Sequence, residues 1–254
     1  MKTIYQPKGK AHEYCHWACN LYNGCSNKCD YCYNRHCQAK ALLGKDEPTL
    51  KKGLENTDNA FEIFKREFDR CEDKIMADGG ELFFNFVSDP FLDDTMILNK
   101  LCICYVLNTS DVVVRTLTKC PKNMIHVINN YVPSILLNDK SRWKIGFTLT
   151  GRDDLEPGAD TNDERVDAIR KLSSKGYHTW ASIEPVIDPI LSVGMISKAY
   201  QAGCRDFKIG LLSGNKNYMP KEIADMKATI DCTFPDCNIL WKDSVTSFIQ
   251  VSPN

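Results

Sequence analysis

Cys25, Cys29 and Cys32 form a CxxxCxxC run on a stretch opened by Gly24, with Asn20-Leu21-Tyr22 before it and Tyr33-Asn34 after it. Soft thiolates select zinc, copper(I) or iron-sulfur clusters, and structural zinc or a plain four-iron cluster needs a fourth protein ligand. Three local thiols leave that position open. A structural zinc site would fill it with Cys15, Cys19, Cys37 or His36. A reactive site would leave it to a ligand from outside the protein.

Other groups with chemistry follow at a steady beat. Apolar, β-rich runs occur at residues 82–87, 112–117, 145–149, 179–183, 207–212 and 239–241. Their spacing of roughly 30 residues is the size of a βα unit. A strand over 14–20 would run straight into the cysteine stretch and make six or seven in all. Behind the runs stand Ser88-Asp89-Pro90, Thr118-Lys119, a 151–156 segment ending in Glu156, Glu184-Pro185, and Lys242-Asp243-Ser244. In a parallel (β/α) barrel the loops after the strands carry the reactive groups, so these residues and the thiols are expected at one mouth.

Between the runs the helix punctuation is clear. Thr161-Asn162-Asp163-Glu164 is a capping box ahead of Val166, Ile169 and Leu172, and Pro189 and Pro220 each stand at a first helical position. A helix after Asp93-Asp94-Thr95 carries Leu98, Leu101, Cys102 and Tyr105 on one face, and a helix from Pro189 carries Leu191, Met195 and Tyr200. Gly79-Gly80 precedes a strand and reads as a turn. The expected fold is α/β, a partial (β/α)6 TIM-type barrel in one domain spanning 1–254. It comprises an N-terminal extension over 1–13, a barrel core over 14–212, and a last helix and strand over 213–254.

These residues resemble the spore photoproduct lyase-like branch of the radical S-adenosylmethionine (SAM) superfamily. The likeness starts at Pro7-Lys8-Gly9-Lys10-Ala11 and Glu13-Tyr14, runs through Gly24-Cys25, Cys29 and Tyr31-Cys32-Tyr33, and resumes at Ser88-Asp89-Pro90-Phe91, Thr118-Lys119, Glu156-Pro157 and Arg165. It implies a [4Fe-4S] cluster held by Cys25, Cys29 and Cys32, with SAM at the fourth iron. Reductive cleavage of SAM would yield a 5'-deoxyadenosyl radical that abstracts hydrogen from a substrate. The resemblance places Tyr31 near adenine, Ser88 and Asp89 at the SAM amino group, and Lys119 at its carboxylate, with Thr148, Glu156 and Arg165 as further cofactor-side residues. It also implies an external one-electron donor of flavodoxin or ferredoxin type. Spore photoproduct lyases have a hydrogen-donating cysteine just before the equivalent of Ser88-Asp89. This chain has Phe86-Val87 there, which argues against thymine-dimer repair.

Plainer readings of the same residues exist. Lys119 and Asp89 would also suit an ion pair across the barrel mouth, Arg165 a solvated helix position, and Glu156 a loop charge. The whole chain would also suit a zinc-stabilised binding module or a simple iron-sulfur electron carrier. Cys15, Cys19, Cys102 and Cys104 read as packing thiols, Cys37 as a loop thiol, and Cys232 and Cys237 offer no complete ligand set.

Composition sets limits. Of 254 residues 43% are hydrophobic, enough for a large core, and the net charge of -1 supplies no global field toward nucleic acid or an anionic membrane. Thirteen cysteines without an apolar signal core point to metal ligation or reduced thiols in a cytoplasmic protein rather than to disulfides. No large appended domain, peptide-recognition segment or auxiliary cysteine cluster is evident, which favours a small-molecule substrate, although a peptide or nucleotide end could reach an open barrel.

Overall fold

The computed structural model describes residues 2–131, 139–214 and 216–250. In chain order its strands and helices are β1 (Ile4–Tyr5), β2 (Ala18–Cys19), β3 (Tyr22–Asn23), α1 (Tyr33–His36), α2 (Lys40–Leu43), β4 (Thr49–Leu50), α3 (Thr57–Ala77), β5 (Glu81–Phe84), α4 (Met96–Thr109) and β6 (Val113–Thr118). They continue as α5 (Pro121–Tyr131), β7 (Trp143–Thr148), α6 (Asn162–Ser174), β8 (His178–Val186), α7 (Pro189–Gln201), β9 (Asp206–Leu211), α8 (Pro220–Thr233), β10 (Asn238–Trp241) and α9 (Asp243–Gln250).

The main sheet has eight strands in the order β1-β2-β5-β6-β7-β8-β9-β10. All its pairs are parallel except β1 with β2. With β1 and β10 as its edges, the sheet is a mostly parallel, partial TIM-type barrel, as expected from the beat of the runs. β3 and β4 form a separate two-stranded sheet beside it.

Alternation along the strands divides the interior in two. Leu82 and Phe84 of β5, Val114 of β6, Ala181 and Ile183 of β8, and Phe207 and Ile209 of β9 join the helices in the larger core. That core takes Phe64 and Phe68 from α3, Val106 from α4, Ile169 from α6 and Ile223 from α8. Facing the other way, Phe83 and Trp180 pack with Cys15 and Ala18 in a smaller cluster. Burial on both faces is what makes parallel strands read as continuous apolar runs.

Local signals are realised closely. Thr161 caps α6 with the reciprocal Glu164 contact, Asp188 caps α7 ahead of Pro189, and Gly79 and Gly80 both take positive φ in a turn. Cys15, Cys19 and Cys102 are buried; Cys37 and Cys104 are half-buried.

Several expectations are corrected. The strand expected over 14–20 is only Ala18–Cys19, and the sheet edge beyond it is the antiparallel β1 from the N-terminal extension. Residues 8–14, also drawn from that extension, cross to the other side of the barrel. The Lys242 ammonium donates to Lys10 O at 3.0 Å, Lys208 to Tyr14 O at 2.8 Å, and Asp243 N to Glu13 Oε2 at 3.1 Å. The strand expected over 82–87 ends at Phe84, because Asn85 adopts φ 63° and breaks the ladder. Leu191 is 40% exposed rather than on the inner face of α7. A further helix, α9, follows the last strand; the end of the expected 213–254 part lies outside the described residues.

Candidate functional site

The cysteine stretch is held in place from three sides. Cys25 N donates to Lys45 O at 2.9 Å, Asp30 N to Leu155 O at 3.0 Å, and Gly158 N to Asn27 O at 3.1 Å. Gly24 has φ 83°, and a Cβ there would come within 2.3 Å of Glu47 O. Gly158 presses even closer, since its Cβ would stand 2.0 Å from Ser26 O. These glycines let backbone meet backbone around the thiols.

Cys25, Cys29 and Cys32 line one cavity of about 470 Å³ at the C-terminal ends of the strands. Among the described residues no three Cys, His, Asp or Glu side chains converge on a single metal-ion position. Burial, and then the Asp89 charge, push the Cys25 thiol up to about 12, against backbone N–H groups of Asn27 and Asp89 that pull it down. A cation beside this thiol would favour its thiolate.

The cavity gathers Tyr31, Ser88, Asp89, Lys119 and Thr148 beside the thiols. Asp89 is the organiser. Its carboxylate accepts from Asn27 Nδ2 at 3.0 Å, Phe91 N at 3.0 Å, Thr118 Oγ1 at 2.6 Å and Lys119 N at 2.7 Å. One buried side chain thus ties the cysteine stretch, its own turn and the end of β6 into a fixed geometry. Ser88 Oγ is buried and has no hydrogen-bond partner. Leaving a buried hydroxyl unpaired costs about 1–3 kcal/mol, so a polar group of a ligand in the cavity is its natural partner.

Glu156 and Arg165 do not line the cavity. Both side chains are fully buried, with Arg165 Nη2 donating to Glu156 Oε2 at 2.6 Å. Arg165 also donates to Thr148 O at 2.9 Å and Asp160 O at 2.6 Å. Lys119 Nζ lies 3.8 Å from Glu156 Oε1, and the Tyr31 hydroxyl donates to the same oxygen. Neither the solvated Arg165 nor the loop-exposed Glu156 of the plainer readings is present. Lys119 pairs with Glu156 and not with Asp89. Burial alone would raise the Glu156 carboxyl, but Lys119 and Arg165 outweigh it and hold the carboxyl below its usual range.

The far wall of the cavity was only partly legible. Lys242 is 1% exposed and lines the cavity, with Nζ 2.9 Å from Glu184 Oε2. The Tyr14 hydroxyl donates to Glu184 and lies 2.7 Å from Ser182 Oγ. Gly210 makes the room, since a Cβ there would meet the Glu184 carboxyl carbon at 2.7 Å. Asp243 and Ser244 sit in α9, away from the lining. Phe86 stacks on Phe83 at 4.1 Å between ring centroids and forms an apolar wall. Tyr14, Lys8, Lys10, Lys28, Arg35 and Lys45 complete the rim. Their sequence signal was limited to Lys8, Lys10 and Tyr14, which lie in the stretch that carried the resemblance.

No family model matches this sequence. A protein of Methanocaldococcus jannaschii described only as uncharacterized is 24% identical over 192 residues, covering 70% of this chain and 62% of that protein. A spore photoproduct lyase complexed with dinucleoside spore photoproduct superposes with a TM-score of 0.66 at 18% identity, covering 94% of this chain and 80% of that one. SuiB of Streptococcus suis bound to S-adenosylmethionine superposes with a TM-score of 0.58 at 8% identity, covering 93% and 53%. This chain has the fold of those enzymes. Among the described residues no helix is long and apolar enough to cross a membrane.

Proposed function

We propose that this chain is a radical SAM enzyme of the spore photoproduct lyase-like branch. Cys25, Cys29 and Cys32 would hold a [4Fe-4S] cluster, and Tyr31, Ser88, Asp89, Lys119 and Thr148 would border SAM. When bound, that pair supplies a 5'-deoxyadenosyl radical for hydrogen abstraction after reduction by an external flavodoxin- or ferredoxin-type donor. The observation that carries the reading is the buried, unpartnered Ser88 hydroxyl on the same wall as three thiols. It stands in one cavity with Lys119, in a fold shared with two radical SAM enzymes.

The chain's own residues do the positioning. Asp89 aligns the cysteine stretch with Lys119; Glu156 and Arg165 brace Lys119, Tyr31 and the Thr148 carbonyl from behind. Phe83 and Phe86 keep water from the inner wall. Phe86-Val87 in place of a hydrogen-donating cysteine argues against thymine-dimer repair, and the reading adopts a small-molecule substrate.

Anaerobic reconstitution with iron and sulfide, followed by reduction with SAM, tests it. Iron-sulfur absorption and formation of 5'-deoxyadenosine are expected, and both should vanish in Cys29→Ala. Stoichiometric zinc without iron would instead make the chain a binding module. A cluster whose EPR spectrum ignores SAM would make it an electron carrier.

A further inference from the structure

Charge is distributed unevenly between this cavity and the rest of the chain. Lysine plus arginine and aspartate plus glutamate number 32 and 33 overall, yet seven cationic and two anionic side chains line the cavity. Both anions are engaged, Asp89 by its four donors and Glu184 by Lys242. Lys119 faces Glu156 and Arg35 pairs with Asp46. Among the described residues, Lys8, Lys10, Lys28 and Lys45 have no carboxylate within ion-pair distance.

These four lysines come from the 8–14 segment, the cysteine stretch and the turn after α2, and all line the one cavity. Lys10 is anchored there, because Lys10 O accepts from Lys242 and Lys10 Nζ donates to Ser213 Oγ at 3.0 Å. Like charges gathered around a concave, partly apolar wall focus a positive potential into it. On the radical SAM reading, on which this inference rests, the cluster with its three thiolates offsets part of this charge, the SAM sulfonium adds to it, and the SAM carboxylate falls to Lys119.

We infer that the cavity takes a small substrate bearing a phosphate group. Lys8, Lys10, Lys28 and Lys45 hold the phosphate at the mouth, and the body of the molecule lies against Phe83, Phe86 and Leu117. A phosphate monoester carries nearly two charges and three strong acceptor oxygens, which suits several compact ammonium groups. On this reading the cluster and SAM share the cavity of about 470 Å³, so the room left for substrate is that of a small molecule. The net charge of -1 supplies no global field toward a nucleic-acid backbone.

The test uses inorganic pyrophosphate, titrated calorimetrically into the full-length, cluster-loaded protein under anaerobic conditions. Wild type is compared with Lys8→Gln/Lys10→Gln and with Lys65→Gln/Lys171→Gln, which removes two charges on α3 and α6, away from the cavity. The first pair should weaken pyrophosphate binding about tenfold, and raised salt should erase most of the difference, as expected for exposed charges. The second pair should leave binding unchanged. Iron-sulfur absorption and SAM binding should be unaltered in the Lys8/Lys10 variant.

No pyrophosphate binding, or equal weakening in both variants, would overturn the inference. A short single-stranded oligothymidylate binding more than about tenfold tighter than pyrophosphate at the same lysines would overturn its small-molecule part. A protein that binds pyrophosphate through Lys8 and Lys10 but assembles no cluster would refute the radical SAM reading while leaving the anion site standing.

Discussion

Glu156→Gln removes one charge from a cluster that water does not reach. The carboxylate has no side-chain exposure, meets the equally buried Arg165 at 2.6 Å, and faces Lys119 at 3.8 Å. Glutamine is isosteric and still accepts from Tyr31, so the change leaves two cations without their counter-charge and alters little else. Breaking a buried pair by removing one partner costs about 3–5 kcal/mol. For a domain of this size each kcal/mol lowers Tm by about 2–4 °C, giving a fall of about 6–20 °C. Thermal unfolding followed by far-UV circular dichroism at neutral pH reads this directly. Because the Glu156 carboxyl is held below its usual range, its contribution is full above about pH 4.5 and is lost as pH falls through the lower folded value. The gap between wild type and variant should therefore hold down to about pH 5 and close only in stronger acid. Arg165→Met in the same background should cost less than it does alone, since the two side chains act as one unit. A Glu156→Gln protein within about 0.5 kcal/mol of wild type at neutral pH would refute the reasoning. It would mean that Lys119 and Arg165 find other compensation.

Further outcomes follow from the same geometry. Gly158→Ala should displace the cysteine stretch, because its Cβ would meet Ser26 O at 2.0 Å; iron content after reconstitution should fall while far-UV circular dichroism stays native. Asp89→Asn turns one acceptor oxygen into a donor facing Asn27 Nδ2 and Lys119 N or their counterparts Phe91 N and Thr118 Oγ1. A loss of about 2–4 kcal/mol in denaturant unfolding is expected. Burial, and then the Arg115 charge, push Lys208 down to about 8. Its folded value is below its unfolded one, so the cost of keeping it charged is full below pH 8 and fades above it. Relative to Lys208→Met, wild type should gain stability as pH rises from 8 to about 10, read from paired thermal melts.

The Thr161 box and the prolines at 189 and 220 were legible because capping and the proline ring act within one turn of chain. The strand beat was legible because a parallel strand buried on both faces shows a run of apolar residues wherever it lies. Asn85 escaped because nothing in 82–87 announces a left-handed residue; its side chain is fixed by Asn99, fourteen positions on. The 8–14 segment reads as an appendage, yet it is tied to Lys208 and Lys242, about two hundred residues away. Glu184 stands in an apolar strand, and only the curvature of the sheet shows that its face there opens on a cavity.

The sequence by itself determined the three thiols, their local loop, and the order in which strand-end groups reach the mouth, because all of these follow from spacing along one chain. Tertiary structure alone decided their division of labour. It buried Glu156 and Arg165 as a brace, made Asp89 the tie between three segments, left Ser88 without a partner, and brought unpaired lysines from three stretches to one rim. Burial and charge balance are properties of what surrounds a residue in space, and no short window of sequence contains that surrounding.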